Sequence, residues 1–293
     1  MSIEKQFKYG KQRSKNLLDK FYKENPNYRK GYYSISGSYI YGFPDKNSDI
    51  DLYGFHIVDK DRWVLNNDKP SEQIIINHRK NPSDGYEKWF GEIEFTSYEL
   101  KKWGKLVLKT NPNILERIFS KDNYILHNIK EMEKLKQTIQ ENLPLNVHHH
   151  YLGMATRNYK KYISSGNLDK YSDRKQSKKI LYVLRGLLGG IYVVTRKDIE
   201  PNILKLSKNV LNEKQIKTVK NLIQVKKGNK KLEDKIIKNS RNIMKKCWKI
   251  IDEDTKRWSL TECFENAQWP DKVNKNEFSK FLDKWMLKVR KNH

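Results

Sequence analysis

The sequence predicts an α+β chain: a small mixed β-sheet with packed helices, followed by an all-helical, basic domain. Three observations carry this. Strand-like apolar alternation is confined to residues 32–95. From about Lys121 the apolar period becomes helical. Charge is divided unevenly, with 21 basic against 16 acidic side chains in residues 1–120 but 39 against 19 in residues 121–293.

The elements follow in order. Residues 4–24 form an opening helix with Phe7, Leu17, Leu18 and Phe21 as apolar positions and Asn25-Pro26 as its stop. Strands are predicted over Tyr32–Ser36, Ile50–Val58, Gln73–Asn77 and Tyr86–Phe95, set apart by turn-rich segments at Asn66-Asn67-Asp68 and at residues 81–85. Helices cover Ser97–Leu108 and, after Asn111-Pro112, Asn113–Phe119. Further helices are predicted over 128–140, 147–165, 173–195, 213–226 and 231–253, with a boundary near Asn142-Leu143-Pro144. Two domains result, residues 1–140 and 141–293.

The formal charge is +25 in 293 residues, and residues 151–250 alone carry 26 basic against 7 acidic side chains. Such a field attracts polyanions by counterion release, which points to RNA or another nucleic acid. A lysine-rich solvated surface is the plainer alternative. Seven Trp, seventeen Tyr and ten Phe argue against a disordered chain. No apolar run is long enough for a bilayer and residues 1–15 lack an apolar leader, so no membrane partner is expected. Cys247 and Cys263 fit no disulfide or metal framework, which suggests a reducing, cytoplasmic compartment.

The chemistry-bearing stretch runs from Ser34 to Gly54. A strand leads into Gly37-Ser38, and a second strand opens ten residues later on Asp49-Ile50-Asp51. Alternate strand residues share a face, so Asp49 and Asp51 point one way while Ile50 and Leu52 enter the core. Two carboxylates on one face repel unless a cation lies between them, and Mg²⁺ favours a few carboxylates plus substrate phosphates. Gly37 permits close backbone approach to a phosphate, and Ser38 can donate hydrogen bonds to it. A calcium-loop reading of Asp45, Asn47 and Asp49 fails, because the sixth position is Ile50 and the twelfth His56. Two-metal phosphoryl chemistry calls for a third carboxylate. Glu92 and Glu94 share one face of a later strand; Glu94 is preferred and Glu92 is its substitute.

The segments from Gly37 to Gly54, Ser97 to Trp103 (SYELKKW) and Asn111 to Glu116 (NPNILE) resemble the nucleotidyltransferases linked to bacterial RNA repair, in the polymerase β superfamily. Tyr151–Ala155 and Lys178-Lys179-x-x-Tyr182-x-x-Arg185 extend the resemblance, which spans roughly residues 30–205. It implies a nucleotidyltransferase catalytic domain first and a helical nucleotide- or RNA-binding domain second. It implies that Asp49, Asp51 and Glu94 hold Mg²⁺ or Mn²⁺, and that Gly37 and Ser38 contact a nucleoside triphosphate. The implied reaction passes NMP from an NTP to a hydroxyl and releases pyrophosphate; the basic charge of the helical domain makes an RNA 3′ end (of a tRNA or a damaged RNA) the preferred acceptor.

The helix over 173–195 can be read without the resemblance. Ile180, Leu184, Leu187 and Ile191 form an apolar stripe, and Lys178, Tyr182 and Arg185 fall opposite, grouped to bind a triphosphate or simply to meet solvent. With the resemblance, Lys178 and Arg185 become triphosphate ligands; Lys179 lies on the flank. His148-His149-His150 spreads over about 200° of a helix and cannot converge on one ion. Residues 226–231 read as a basic turn, and Tyr39 and Tyr41 as residues that flank the phosphate site or pack. Rival readings keep the chemistry but pass NMP to a small molecule or a protein, or make the chain an inert nucleic-acid-binding module.

Overall fold

The computed structural model describes residues 2–59, 71–78, 92–143, 147–259 and 275–293. The chain divides into two compact units, Met1–Glu141 with Asn274–His293, and Asn142–Val273.

The first unit is an α+β layer structure. Helix α1 (Ile3–Glu24) starts at Ser2, whose side chain accepts from the Lys5 amide, and stops at Asn25. Strands β1 (Tyr28–Ile35), β2 (Ile50–Val58), β3 (Gln73–His78), β4 (Ile93–Glu99) and β5 (Ile125–His127) form one sheet in the order β3-β4-β2-β1-β5. Strands β2 and β4 run parallel and the other neighbours antiparallel. One face packs on α1: Leu18 and Phe21 meet Tyr33, Ile35, Ile50, Leu52, Ile93 and Phe95, as the apolar alternation requires.

Helices α2 (Leu100–Leu108), α3 (Pro112–Ile118) and α4 (Glu131–Glu141) complete the unit together with a later one, α10 (Lys275–Asn292). Two expectations need correction here, and a third falls largely outside the described residues. The predicted helix at Ser97 starts only at Leu100, because β4 runs on to Glu99, whose side chain caps α2 by accepting from the Lys101 amide. Of the predicted strand Tyr86–Phe95, residues 86–91 lie outside the described residues, as do both predicted turns. Residues 275–292, assigned by sequence to the helical domain, belong to the first unit. Trp285 stacks on Trp103 at 5.9 Å, both meet Phe55, and the Trp285 indole donates to the Glu131 carbonyl at 2.8 Å. Arg290 pairs with Glu99 and donates to the Val58 carbonyl.

The second unit is helical: α5 (Val147–Asn158), α6 (Asp173–Arg196), α7 (Ile203–Val210), α8 (Glu213–Lys227) and α9 (Asp234–Ser259). The predicted helix over 147–165 gives way at Tyr159 to π-helical turns, Tyr159–Ser164. The predicted stripe on α6 is buried throughout, with Ile180, Leu184, Leu187 and Ile191 at most 4% exposed. Helix α8 opens on a reciprocal capping box between Asn212 and Gln215 and ends at Gly228 with φ +79°.

Candidate active site

Antiparallel pairing of β1 with β2 sets Ile35 opposite Leu52, so the chain leaving β1 returns beside the carboxylates of β2. The Ser36 amide donates to the Asp51 carbonyl at 2.7 Å. Gly37 follows with φ +67°, a conformation that favours glycine. A β-carbon there would sit 1.8 Å from the Asp51 Oδ2, so the backbone and the carboxylate fit only without a side chain. The turn closes with Tyr41 and Phe43 amides donating to the Gly37 and Ser38 carbonyls. Ser38 lies largely buried within it, and Tyr39 and Tyr41 are packed, Tyr39 in the sheet core.

A second small turn delivers Asp49. The Asn47 amide and the Ser48 hydroxyl donate to the Asp45 carboxylate, and the Asp45 amide donates to the Ser48 hydroxyl oxygen. Asp45 is buried while Asp49 is exposed at the mouth of β2. Burial, with the charges of Asp45 and Asp49 adding to it, pushes the Tyr39 phenol up to about 12.

Register places the two glutamates differently. In the parallel β2–β4 pair, Asp51 stands opposite Glu94. Glu92 lies before β4 and is exposed; its carbonyl accepts from the Ile50 amide. Glu94 is held by the Tyr53 hydroxyl, which donates to Oε1 at 3.0 Å. Tyr53 alternates with Asp51 along β2 and so shares its face. Its ring is covered by the Arg117 guanidinium at 3.6 Å, and Arg117 Nε donates to the Ser36 hydroxyl at 3.0 Å. Burial pushes the Tyr53 phenol up to about 12; the Arg117 cation opposes this, and Glu94 and Asp51 reinforce it.

The structure thus gathers Gly37, Asp51 and Glu94, with Asp49 immediately before β2. Among the described residues no three His, Cys, Asp or Glu side chains converge as a metal cage. The donor set still fits Mg²⁺, which takes one or two carboxylates and completes its shell with phosphate oxygens and water. The glycine notch against Asp51 leaves backbone, not a side chain, beside those carboxylates.

Sequence reasoning missed Tyr53, Arg117 and Asp45. The period-2 rule that paired Asp49 with Asp51 extends to Tyr53 and could have found it. Arg117 lies one residue beyond the NPNILE segment and 81 residues from Ser36, where no spacing rule reaches.

In the second unit, Lys178 and Arg185 flank the Tyr182 ring on α6, their charged groups 6.0 and 5.8 Å from its centroid. The expected open polar face is half wrong, because Arg185 is only 1% exposed and Lys178 is half-buried. Lys179 lies 4.0 Å over the Tyr162 ring. Lys226 of the predicted basic turn is buried as well. His148 is a core residue whose Nδ1 meets the Gly190 carbonyl at 3.1 Å, and burial lowers its pKa.

The family described as the RNA repair pathway DNA polymerase beta family matches residues 11–286, farther in both directions than the 30–205 legible as motifs. An uncharacterized protein of Methanocaldococcus jannaschii is 32% identical over 158 residues, 54% of this chain and 57% of that protein. An uncharacterized Bacillus subtilis protein is 29% identical over 167 residues, 57% of this chain and 56% of its own length. The chain therefore spans little more than half the length of these relatives. A crystal structure of a nucleotidyltransferase-like protein from Exiguobacterium sibiricum aligns over 80% of this chain and 75% of that one. Its TM-score of 0.32 and identity of 10% are too low to bear on the argument. Among the described residues no helix is long and apolar enough to cross a membrane.

Proposed function

The chain belongs to the RNA repair pathway DNA polymerase beta family, and on that premise we propose that it transfers NMP from an NTP to the 3′ hydroxyl of an RNA. The acceptor oxygen bonds to the α-phosphorus, the bond from that phosphorus to the bridging oxygen breaks, and pyrophosphate leaves with the electron pair. The acceptor's proton passes to solvent, with no side chain required as general base.

The observation that carries the reading is the β2–β4 register, which sets Asp51 beside Glu94 across from the Gly37 notch. Asp49, Asp51 and Glu94 would hold Mg²⁺ or Mn²⁺, which when bound neutralises phosphate charge and lowers the pKa of the acceptor hydroxyl. Gly37 admits the triphosphate to the backbone of the turn, and Ser38 supplies its amide there. Tyr53 fixes the Glu94 carboxylate. In the second unit, half-buried Lys178 beside the Tyr182 ring suits an anion and a stacked base, whereas Arg185, expected as its companion, meets that ring from a buried position.

RNA as acceptor is supported by α9. Lys235, Lys238, Arg241, Lys245 and Lys249 recur along it at three- and four-residue steps and are all exposed, while Ile236, Ile243, Met244, Cys247 and Ile251 are buried. The stripe is about 21 Å long, a run of positive charge suited to a phosphate backbone.

The test incubates the protein with Mg²⁺ or Mn²⁺, each labelled NTP and total RNA, beside a D49A/D51A variant. Label at RNA 3′ ends, reduced at least about a thousandfold in the variant, is the expected result. Label on protein or on a small molecule would replace RNA as acceptor. RNA binding without transfer of any NTP would leave an inert binding module.

A further inference from the structure

Arg117 stands out in the first unit. It is half-buried at the end of α3, and its side chain is fixed on two sides: by Nε donating to Ser36 Oγ and by the Tyr53 ring beneath it. Its own carbonyl is fixed too, accepting from the Tyr32 and Ser120 hydroxyls at 2.8 Å each. A guanidinium carries five N–H donors, and among the described residues one of them, on Nε, finds a hydrogen-bond acceptor. Among the described residues no carboxylate forms an ion pair with Arg117, although the Tyr53 ring under it bonds Glu94 and feels the charge of Asp51.

A cation held in one orientation by a ring and a hydroxyl, next to the carboxylates but not neutralised by them, is arranged for an anion from outside the chain. Its immediate neighbour Ser36 leads into the Gly37 turn, where the backbone packs directly against the Asp51 carboxylate with no room for a side chain. We propose that Arg117 is a phosphate ligand of this site, its Nη donors taking non-bridging oxygens of the β- and γ-phosphates of the incoming nucleotide. The inference rests on the nucleotidyltransferase reading for the identity of the anion, but not for its existence. In this arrangement Arg117 grips the part of the substrate that departs as pyrophosphate. Tyr53 couples that grip to Glu94, since one face of its ring carries Arg117 and its hydroxyl holds the carboxylate.

The probe is inorganic tripolyphosphate, titrated calorimetrically into the full chain with Mg²⁺ present. Arg117→Gln should weaken binding about tenfold or more, and Arg117→Lys should fall between, keeping charge but losing the planar fork. The loss should be smaller for orthophosphate, which offers fewer oxygens to the fork. If the variant loses its fold, the wild-type protein supplies the answer: tripolyphosphate should protect Arg117 from phenylglyoxal, read by peptide mapping. Equal affinity in Arg117→Gln, or modification of Arg117 undiminished by tripolyphosphate, would overturn the proposal. The two readings part cleanly: protection without NMP transfer sinks the proposed reaction and keeps the anion site, whereas transfer with an unimpaired Arg117→Gln protein does the reverse.

Discussion

The two units assemble their charged groups by opposite means. In the first, Gly37, Asp51, Glu94 and Arg117 are scattered over 81 positions and meet because strand register and one turn bring them together. In the second, Lys178, Tyr182 and Arg185 lie on one helix and meet through its three- and four-residue spacing. The first kind of site depends on the whole fold around it. The second depends on a single helix remaining a helix. A substitution far from the carboxylates should therefore disable the first unit, whereas surface changes on the second should alter binding and little else.

The largest test of that contrast is Trp285→Ala. Trp285 is buried against Trp103 and Phe55, and its loss should destabilise the first unit by about 4 kcal/mol. Urea unfolding followed by near-ultraviolet circular dichroism would measure it. A loss under about 1 kcal/mol would mean that α10 is dispensable and the contrast overdrawn.

Next comes His56, buried in the same unit, where its Nδ1 meets the Ser97 hydroxyl at 2.8 Å. Burial lowers its pKa to about 4, with the Arg290 charge adding to the effect. Its folded value lies below its unfolded one, so the unfolded chain takes up the proton first. Stability from this group is complete above about pH 6.5 and is lost as pH falls toward 4, by about 3 kcal/mol. His56→Gln should flatten that part of the stability–pH curve; an unchanged slope would assign the acid sensitivity elsewhere.

Gly37→Ala probes the site itself. The positive φ and the approach to Asp51 Oδ2 should together cost about 1–2 kcal/mol and displace the carboxylate. NMP transfer should fall by about a hundredfold or more, because carboxylate placement is what the reaction needs. Transfer at the wild-type rate would show that the notch is incidental.

The smallest effect on stability belongs to the second unit. Replacing Lys235, Lys238 and Lys245 with Gln should leave the melting temperature within a degree or two and reduce the salt dependence of RNA binding by about two in log–log slope. An unchanged slope would remove α9 from the RNA interface.

Legibility in the sequence follows the same division. Period-2 alternation placed Ile50 and Leu52 in the core, and the α6 stripe was visible as spacing alone. The pairing of β4 with β2, which sets Glu94 opposite Asp51 and leaves Glu92 ahead of the strand, is a tertiary fact without a local signal. So is the seat of Arg117 over Tyr53. Arg185 misled for a related reason: a charged residue opposite an apolar stripe reads as solvated, yet α6 is buried almost all round. The β5 strand, at three residues, is too short to show a period. The α10 helix was hidden by context, since nothing in its sequence says which unit it completes.

That last helix has a consequence for how the protein is made. The first unit consists of residues 1–141 and 274–293, with the second unit threaded between them. On the ribosome, the sheet and its carboxylates emerge early, but the aromatic face at Phe55 and Trp103 stays uncovered until Trp285 has been synthesised, some 180 residues after Trp103. At about 5–20 residues per second, that face waits roughly ten seconds or more for its cover. Premature termination within the second unit would leave a sheet bearing Asp49, Asp51 and Glu94 on its α1-backed core, with the aromatic face at Phe55 and Trp103 lacking Trp285.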